Sequence, residues 1–328
     1  MAKSSSTLTP FTSVFDVRVE DVLCGLVAAA LLVYIGAAGS WRLLTQGGEH
    51  MWAVSFIALP MSVIIFLASL HYALGSNDRS SANVWVSEVI TIIRDWLPFL
   101  LFLFFYATFT WAIWSSIQPH TFDAALLRID ERLFGVTPSV VMQRWISPGL
   151  TSFMSLCYAA HLVLPPLVAA MWYGKNVRVF REMLLAILIC GAIGTVGYLF
   201  VPAVGPGVAF PHLYTKTLSG SLYRPIIDWM DRARAPRDVF PSLHIAVSAI
   251  VFWYAARRSR LLFWCVAPFI AGNWVSTLYL RYHYAIDDLA GFVVAAGSIG
   301  LAMAALAAEQ RVRASLRLAS AQTEAPPG

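Results

Sequence analysis

The sequence predicts an all-α fold, a polytopic helical bundle in a membrane, and two observations carry this prediction. Of the 328 residues, 59% are hydrophobic and only 12% are charged, with a mean hydropathy of +0.68. Soluble domains have roughly 25% charged residues. The second observation is a series of apolar windows of about 20 residues, the length of helix that crosses the hydrocarbon of a bilayer. Together they exclude a soluble globular protein.

The apolar windows divide the chain into about eight predicted spans. They cover Val22–Trp41, Met51–Leu74, Trp96–Trp114, Leu150–Trp172, Met183–Val204, Ser242–Ala256, Leu261–Leu280 and Ile286–Ala308. The sixth window is short, so its helix either starts at Phe240 or is partly buried by its neighbours. In the fifth, Gly191, Gly194 and Gly197 are three apart, which favours close helix contact.

The loops between the spans predict the orientation of the chain. An even number of spans places both termini on one side, and the short loops on that side hold most of the short-loop Lys and Arg residues, which marks the cytoplasm. The long loops 115–149 and 205–241 then face the periplasm or lumen. The first has apolar residues at helical spacing among charges and predicts one or two interfacial helices.

The distribution of charges and cysteines excludes some classes of binding partner and of fold. The net charge of +5 comes from Lys and Arg scattered in short loops, so no basic stripe predicts nucleic-acid binding. The four cysteines, Cys24, Cys157, Cys190 and Cys265, lie in apolar runs without the spacing of a disulfide framework. The expected surroundings are membrane lipids, and the oligomeric state is open.

The first candidate site residues lie where the outer loop meets the sixth span. Ser242 follows Pro241 and is placed to cap the helix, whose first N–H groups favour an anion such as phosphate. His244 lies two residues further and could donate a proton to a leaving oxygen bound there. A capping serine and an interfacial histidine without a chemical role is the alternative.

A second group lies at the start of the last span. His283 and Asp287 are four apart, so a helix beginning near His283 places the carboxylate beneath the imidazole. A carboxylate on one ring nitrogen leaves the other free as a nucleophile. Arg281 adds a cation for phosphate oxygens, with an interfacial ion pair as the alternative. Asp288 is expected to be a solvated or capping acid.

These two groups form a recognisable pair of motifs. PSLH at Pro241–His244 and STLYLRYHYAID at Ser276–Asp287 resemble the second and third motifs of the type 2 phosphatidic acid phosphatase superfamily of membrane lipid phosphatases and phosphotransferases. The resemblance implies that His283 forms a phosphohistidine, that Asp287 orients it, and that His244 protonates the departing alcohol. It implies no metal and no cofactor.

Two positions depart from the superfamily pattern. Thr277 stands where an arginine is expected, so Arg281 or Arg237 is the candidate replacement for binding phosphate. The first motif has only an imperfect counterpart in Lys216 to Arg224-Pro225, with one residue too many between them.

Other runs resemble the inositolphosphoryl-ceramide synthase branch. They are DERLFG at Asp130–Gly135, CYAAH at Cys157–His161 and VPAVGP at Val201–Pro206. Tyr158 and His161 are three apart in the fourth span and are a possible acceptor site, or a structural hydrogen-bonded pair. The resemblance predicts a six-span core at 96–310 and leaves 22–95 as two additional spans. Loop charge and composition predict a cytoplasmic segment at 1–21 and a disordered cytoplasmic tail at 311–328.

The predicted function is phosphoryl transfer on a lipid or polyprenyl phosphate at the outward face of the membrane. The branch resemblance favours an inositolphosphoryl-ceramide-synthase-like phosphotransferase, with a lipid phosphate phosphatase as the alternative. A transporter is a remote alternative, because the ionisable residues gather at one face rather than at mid-membrane. A zinc site from His161, His212, His244 and His283 lacks the usual ligand spacing.

Overall fold

The structure is a computed structural model that describes residues 17–37, 90–104, 106, 120–173, 175–231 and 237–323. Within these ranges the chain is helical, and its only bridge between extended segments pairs Ala203 with Asp238. This confirms the predicted all-α fold.

The longer helices follow one another with short connections. They are α1 (Val19–Ala37), α2 (90–104), α3 (Asp123–Phe134), α4 (Pro148–Tyr173), α5 (Val177–Phe200), α6 (Tyr223–Asp231), α7 (Leu243–Arg258), α8 (Arg260–Tyr279) and α9 (Ala285–Thr323). Short helices at Pro138–Val141 and Pro206–Ala209 and 3-10 turns at Met142–Trp145 and Pro211–Leu213 lie in the loops.

Five helices in the described ranges are long and apolar enough to cross a membrane, namely α1, α4, α5, α8 and α9. They match five of the predicted spans and support an integral membrane protein. The predicted span Met51–Leu74 lies outside the described residues. The predicted span Trp96–Trp114 is described only as far as α2 and Tyr106.

The predicted sixth span is α7, which lies at the centre of the bundle. It has 16 residues and contacts α4, α5, α8 and α9. Protein surrounds it, and it starts at Leu243 rather than at Phe240. Its short length therefore fits a helix that its neighbours bury.

Glycines of α5 let neighbouring groups pack against that helix. A Cβ atom on Gly194 would lie 2.6 Å from the Leu243 side chain, and one on Gly197 would lie 2.3 Å from the Pro241 ring. At Gly191 the crowding neighbour is Phe102. The glycine spacing thus serves packing, and two of these contacts fix the start of α7.

Charged residues gather at the end of the bundle opposite the start of α7. Arg181 of α5 binds Glu20 of α1 at 2.6 Å and Glu309 of α9 at 2.8 Å, and Arg18 pairs with Asp95. We call these five residues the ion-pair cluster. It fastens α1 to the rest of the bundle, and sequence spacing gave no sign of it because the partners lie far apart in the chain.

The last helix differs from the prediction for the tail. Helix α9 continues to Thr323 and so covers most of the segment 311–328 that composition predicts to be disordered. Arg313 binds Glu309 one turn earlier at 2.8 Å and the carbonyl oxygen of Val17 at 3.0 Å. These bonds support the helix beyond its apolar part.

Candidate active site

The start of α7 has the predicted cap. The Ser242 hydroxyl oxygen accepts a hydrogen bond from the backbone N–H of Ile245 at 3.3 Å, and the Ser242 N–H donates to the carbonyl of Asp287 at 3.1 Å. Just upstream, Asp238 accepts a hydrogen bond from Tyr106 at 2.8 Å. These bonds fix the segment that leads into the helix.

His283 lies in the short loop between α8 and α9 and is 2% exposed. Its Nδ1 atom lies 3.1 Å from the carbonyl oxygen of Val239, and its Nε2 atom lies 3.4 Å from Nδ1 of His244. A carbonyl oxygen only accepts, so Nδ1 of His283 carries the proton and Nε2 carries a lone pair. The ring nitrogen with the lone pair therefore faces His244.

Asp287 lies beside this imidazole and is fully buried. One carboxylate oxygen lies 3.6 Å from Nδ1 of His283 and accepts a 2.9 Å hydrogen bond from the Tyr284 N–H. Nδ1 therefore donates its hydrogen bond to the carbonyl oxygen of Val239, a partner that sequence reasoning missed. Asp287 thus lies close to the ring, and the backbone fixes the tautomer.

Helix α3 supplies the carboxylate that caps α9. Asp130, 1% exposed, accepts hydrogen bonds from the N–H groups of Ala285 at 2.8 Å and Ile286 at 2.9 Å. Burial raises the pKa of Asp130, and these two bonds oppose that rise. The DERLFG run thus holds the start of the helix that carries Asp287.

A second carboxylate of α3, that of Asp123, binds the turn at Val201–Pro206 that follows α5. Asp123 accepts hydrogen bonds from the N–H groups of Val204 at 3.1 Å and Gly205 at 3.0 Å, and from the Tyr284 hydroxyl at 2.9 Å. Burial raises the pKa of Tyr284, and the Asp123 charge adds to this, so the hydroxyl stays a donor. The VPAVGP turn and the His283 loop are therefore tied to one residue.

Glycine in that turn permits a close backbone approach. Gly205 has a φ of +91°, and a Cβ atom there would lie 2.4 Å from the carbonyl oxygen of Tyr282. Gly207 donates its N–H to the carbonyl of Arg281 at 2.9 Å. The turn is consequently packed directly on the residues that precede His283.

Three rings contact the His244 imidazole, those of Tyr158, His161 and His283. Tyr158 of α4 stacks on His244 with ring centroids 4.4 Å apart and also on Tyr282 at 4.9 Å. The His161 ring lies 4.0 Å from His244, and the His283 ring lies 5.3 Å from it. The structure thus brings the predicted acceptor residues next to the predicted proton donor.

The candidate phosphate ligands are less closely grouped than the rings around His244. Arg281 donates to the carbonyl of Lys216 and lies 4.3 Å from the centre of the Tyr214 ring, and burial lowers the pKa of its guanidinium group. Arg224 is 77% exposed and pairs with Asp228 at 3.5 Å. The Lys216 side chain is exposed and Arg237 is half-buried. Arg281 and Lys216 are in contact through a backbone carbonyl.

Thr277, which stands where the superfamily motif has an arginine, forms a buried polar pair with Asp288. The Thr277 hydroxyl lies 2.8 Å from the Asp288 carboxyl and 2.8 Å from the carbonyl of Trp274. Asp288 is 7% exposed. The expectation of a solvated Asp288 is wrong, because α9 turns this side chain toward α8 instead of toward solvent.

Within the described ranges, no group of three or more His, Cys, Asp or Glu side chains has the arrangement of a metal site. The His161, His244 and His283 rings do lie in contact. Neighbouring imidazoles are suited to proton transfer at a common ligand.

Comparison with known families agrees with the motifs. A family model described as the PAP2 superfamily matches residues 124–301, more than half of the chain, including His244, His283 and Asp287. Neither a curated protein nor a solved structure matches the chain. The superfamily supports a phosphatase-type enzyme in a membrane with a lipid-related substrate. The chain belongs to the PAP2 superfamily, that of the type 2 phosphatidic acid phosphatases.

Proposed function

We propose that this protein moves a phosphoryl group from a lipid or polyprenyl phosphate through a phosphohistidine on His283. The observation that carries this proposal is the geometry of His283. Its Nδ1 proton is directed to Val239, 3.1 Å away, which leaves the Nε2 lone pair facing His244. A nucleophile beside a proton donor is the arrangement that covalent phosphoryl transfer needs.

In the first step, Nε2 of His283 forms a bond to phosphorus. The bond from phosphorus to the lipid oxygen breaks, its electron pair stays on that oxygen, and a protonated His244 gives the oxygen its proton. The His283 ring gains positive charge in this step. The Asp287 carboxylate, 3.6 Å from Nδ1, stabilises that charge.

In the second step, an acceptor oxygen attacks the phosphorus and the bond to Nε2 breaks. Neutral His244 takes the acceptor proton, so both histidines return to their starting states. Water as acceptor gives a phosphatase. An alcohol gives a phosphotransferase.

Transfer to an alcohol is our preferred outcome, in the manner of an inositolphosphoryl-ceramide synthase. Support comes from the sequence runs that resemble this branch and from Tyr158 and His161, whose rings contact His244. Hydrolysis of phosphatidic acid or a polyprenyl diphosphate is the alternative, since it requires no more than His283, Asp287 and His244.

The phosphate ligands are part of the proposal. Ser242 and the start of α7 would hold the phosphate, and Arg281 would exchange the Lys216 carbonyl for phosphate oxygens. The exposed Arg224 and Lys216 would attract the substrate from the aqueous side, and the half-buried Arg237, close to Pro241, would bind phosphate oxygens. Long-range attraction suits exposed cations better than a fixed clamp does.

The domain division and orientation are proposals too. We place a six-span core at 96–310, with cytoplasmic termini and an active site on the periplasmic or lumenal face. The separation of His283 from the ion-pair cluster, at opposite ends of the bundle, is consistent with this orientation.

Purified protein in detergent tests the proposal. It is incubated with phosphatidic acid and, separately, with phosphatidylinositol plus ceramide. His283→Ala is expected to abolish all turnover, whereas His212→Ala, an exposed histidine in the outer loop, serves as the control. Full activity of His283→Ala would overturn the mechanism. A new phospholipid identifies a transferase, and free phosphate identifies a phosphatase.

A further inference from the structure

Helix α3 has an exposed apolar stripe beside its buried side. The stripe consists of Phe122, just before the helix, Ile129 and Leu133, which follow one another at intervals of seven and four residues and so share one side. Their exposed fractions are 45%, 36% and 57%. The buried side carries Asp123 and Asp130. The stripe is therefore a second face of the helix, separate from the one that packs on the bundle.

Helix α3 lies at the level where two spanning helices end. The Phe122 N–H donates to the carbonyl of Pro202 at 2.8 Å, just beyond the end of α5 at Phe200. Further along α3, Asp130 binds the N–H of Ala285, the first residue of α9, at 2.8 Å. Because α5 and α9 are long and apolar enough to cross a membrane, these ends lie at a bilayer surface. Helix α3 thus runs along that surface.

The charged side chains of α3 are sorted around the helix. Arg128 and Arg132 are exposed, one turn apart, and lie opposite Asp130, with the stripe between them and the buried side. Glu131 is exposed on the side opposite the stripe. An apolar face flanked by arginines, with an acid turned away from it, is typical of a helix that lies in the interface of an anionic membrane.

We propose that α3 binds anionic lipids of the leaflet at the end of the bundle that holds His283, and that this contact steadies the His283 loop. The stripe lies in the acyl boundary, and Arg128 and Arg132 bind headgroup phosphates. For its effect on turnover, this inference rests on the proposed function. It assigns to α3 a lipid partner that is not the substrate.

The buried side of α3 links this surface to the site. Residues 284–286 follow His283 directly. Asp123 binds the first of them through its hydroxyl at 2.9 Å, and Asp130 binds the N–H groups of the other two at 2.8 and 2.9 Å. Opening of this segment therefore requires α3 to move or to release it. Lipids that hold α3 in place make such local opening less frequent.

The position of α3 is tested with nitroxide labels in a Cys265→Ser background. Leu133→Cys lies in the stripe, and Glu131→Cys, on the opposite side, is the matched control. In phosphatidylcholine bilayers that contain phosphatidylglycerol, the label at 133 should be relaxed mainly by oxygen and the label at 131 mainly by an aqueous nickel chelate. Equal access of the chelate to both labels overturns the membrane contact.

Hydrogen exchange of the segment 283–288 tests the link without any assay of turnover. In the parent, adding phosphatidylglycerol to phosphatidylcholine bilayers is expected to slow this exchange at least about fivefold, the factor for one arginine at an anionic surface. Arg128→Gln combined with Arg132→Gln should lose this slowing. Arg178→Gln, which changes an exposed arginine at the other end of the bundle, is the control. Equal slowing in the control and the double variant, or none in the parent, overturns the inference.

Turnover of phosphatidic acid at a fixed mole fraction is the last measurement. Phosphatidylglycerol is expected to raise it about fivefold in the parent and in Arg178→Gln, but not in the double variant. An equal rise in all three contradicts the effect on the site. If the parent turns over no lipid phosphate in any bilayer, the proposed function fails, whereas the labels and the hydrogen exchange still decide the role of α3.

Discussion

The Nε2 atom of His283 lies 3.4 Å from the Nδ1 atom of His244, although His244 lies in the first turn of α7 and His283 lies in the loop before α9, with the whole of α8 between them. Backbone contacts hold both partners. The Ser242 N–H binds the Asp287 carbonyl, and Val239 binds the His283 ring. The pair is therefore set by the packing of α7 against α9.

Asp287→Asn is expected to lower kcat about 100-fold with phosphatidic acid, within the range for a positioned catalytic group. The loss comes from the missing negative charge, because the Val239 carbonyl still fixes the tautomer of His283. Steady-state kinetics measures it. A loss as complete as in His283→Ala would show that Asp287 alone sets the tautomer.

Asp130→Ala is expected to destabilise the protein by about 1–2 kcal/mol, because it removes the cap from two N–H groups of α9. Thermal unfolding in detergent measures the change. Glu131→Ala, an exposed acid in the same helix turn, is the control. Equal melting temperatures for the two variants would rule out the capping role.

The pH dependence of unfolding should differ between the parent and Asp130→Asn. The folded-state pKa of Asp130 is raised by burial, so its stabilising contribution is present below about pH 4, its ordinary pKa, and is lost as pH rises through the raised value. The amide does not titrate. The melting temperature of the parent should therefore fall relative to that of Asp130→Asn over this window, and parallel curves would contradict the shift.

Thr277→Val is expected to cost about 1–3 kcal/mol, because it removes one hydroxyl partner of the buried Asp288 carboxyl. Thr277→Ser keeps that hydroxyl and is the matched control. Chemical or thermal unfolding in detergent separates the two variants. If valine and serine are tolerated equally, the hydroxyl contact does not contribute to stability.

Arg181→Ala is expected to destabilise the bundle by about 3–5 kcal/mol, since it leaves Glu20 and Glu309 without their shared partner. Arg178→Ala removes an exposed cation one turn away and should be near neutral. Unfolding in detergent measures both. Similar stability of the two variants would indicate that water replaces the ion pairs.

Orientation is tested with cysteines in a Cys265→Ser background, which removes the exposed native thiol. Asp228→Cys on α6 should react with an impermeant thiol reagent added outside intact cells. Arg178→Cys, at the end of the ion-pair cluster, should react only after the membrane is opened. The reverse pattern would place the active site on the cytoplasmic face.

The spacing of residues along the sequence predicted the features that depend on residues close together in the chain, namely the helices, one helix cap and one side-chain pair. Apolar windows of about 20 residues predicted the helices, and Ser242 caps α7 as its position after Pro241 suggests. The four-residue spacing of His283 and Asp287 placed them together. Their chemical roles stay predictions until the variants are assayed.

Long-range contacts could not be predicted in this way. Asp130 and Ala285 are 155 residues apart, and Arg181 and Glu20 are 161 apart, so no periodic pattern connects them. A clue existed in α3, where Asp123 and Asp130 share a face with the buried Leu126. Acids on the apolar face of a helix indicate buried hydrogen-bond acceptors.

The ion-pair cluster connects the first described helix, α1, to the last, α9. Arg181 joins α1 to α9, and Arg313 reaches the carbonyl oxygen of Val17 at 3.0 Å, so the first described residues and the last helix are adjacent. Cutting the chain before Glu309 would remove a partner of Arg181 and the contact to Val17 together. A truncation at one end of the polypeptide would thus loosen the helix at the other end.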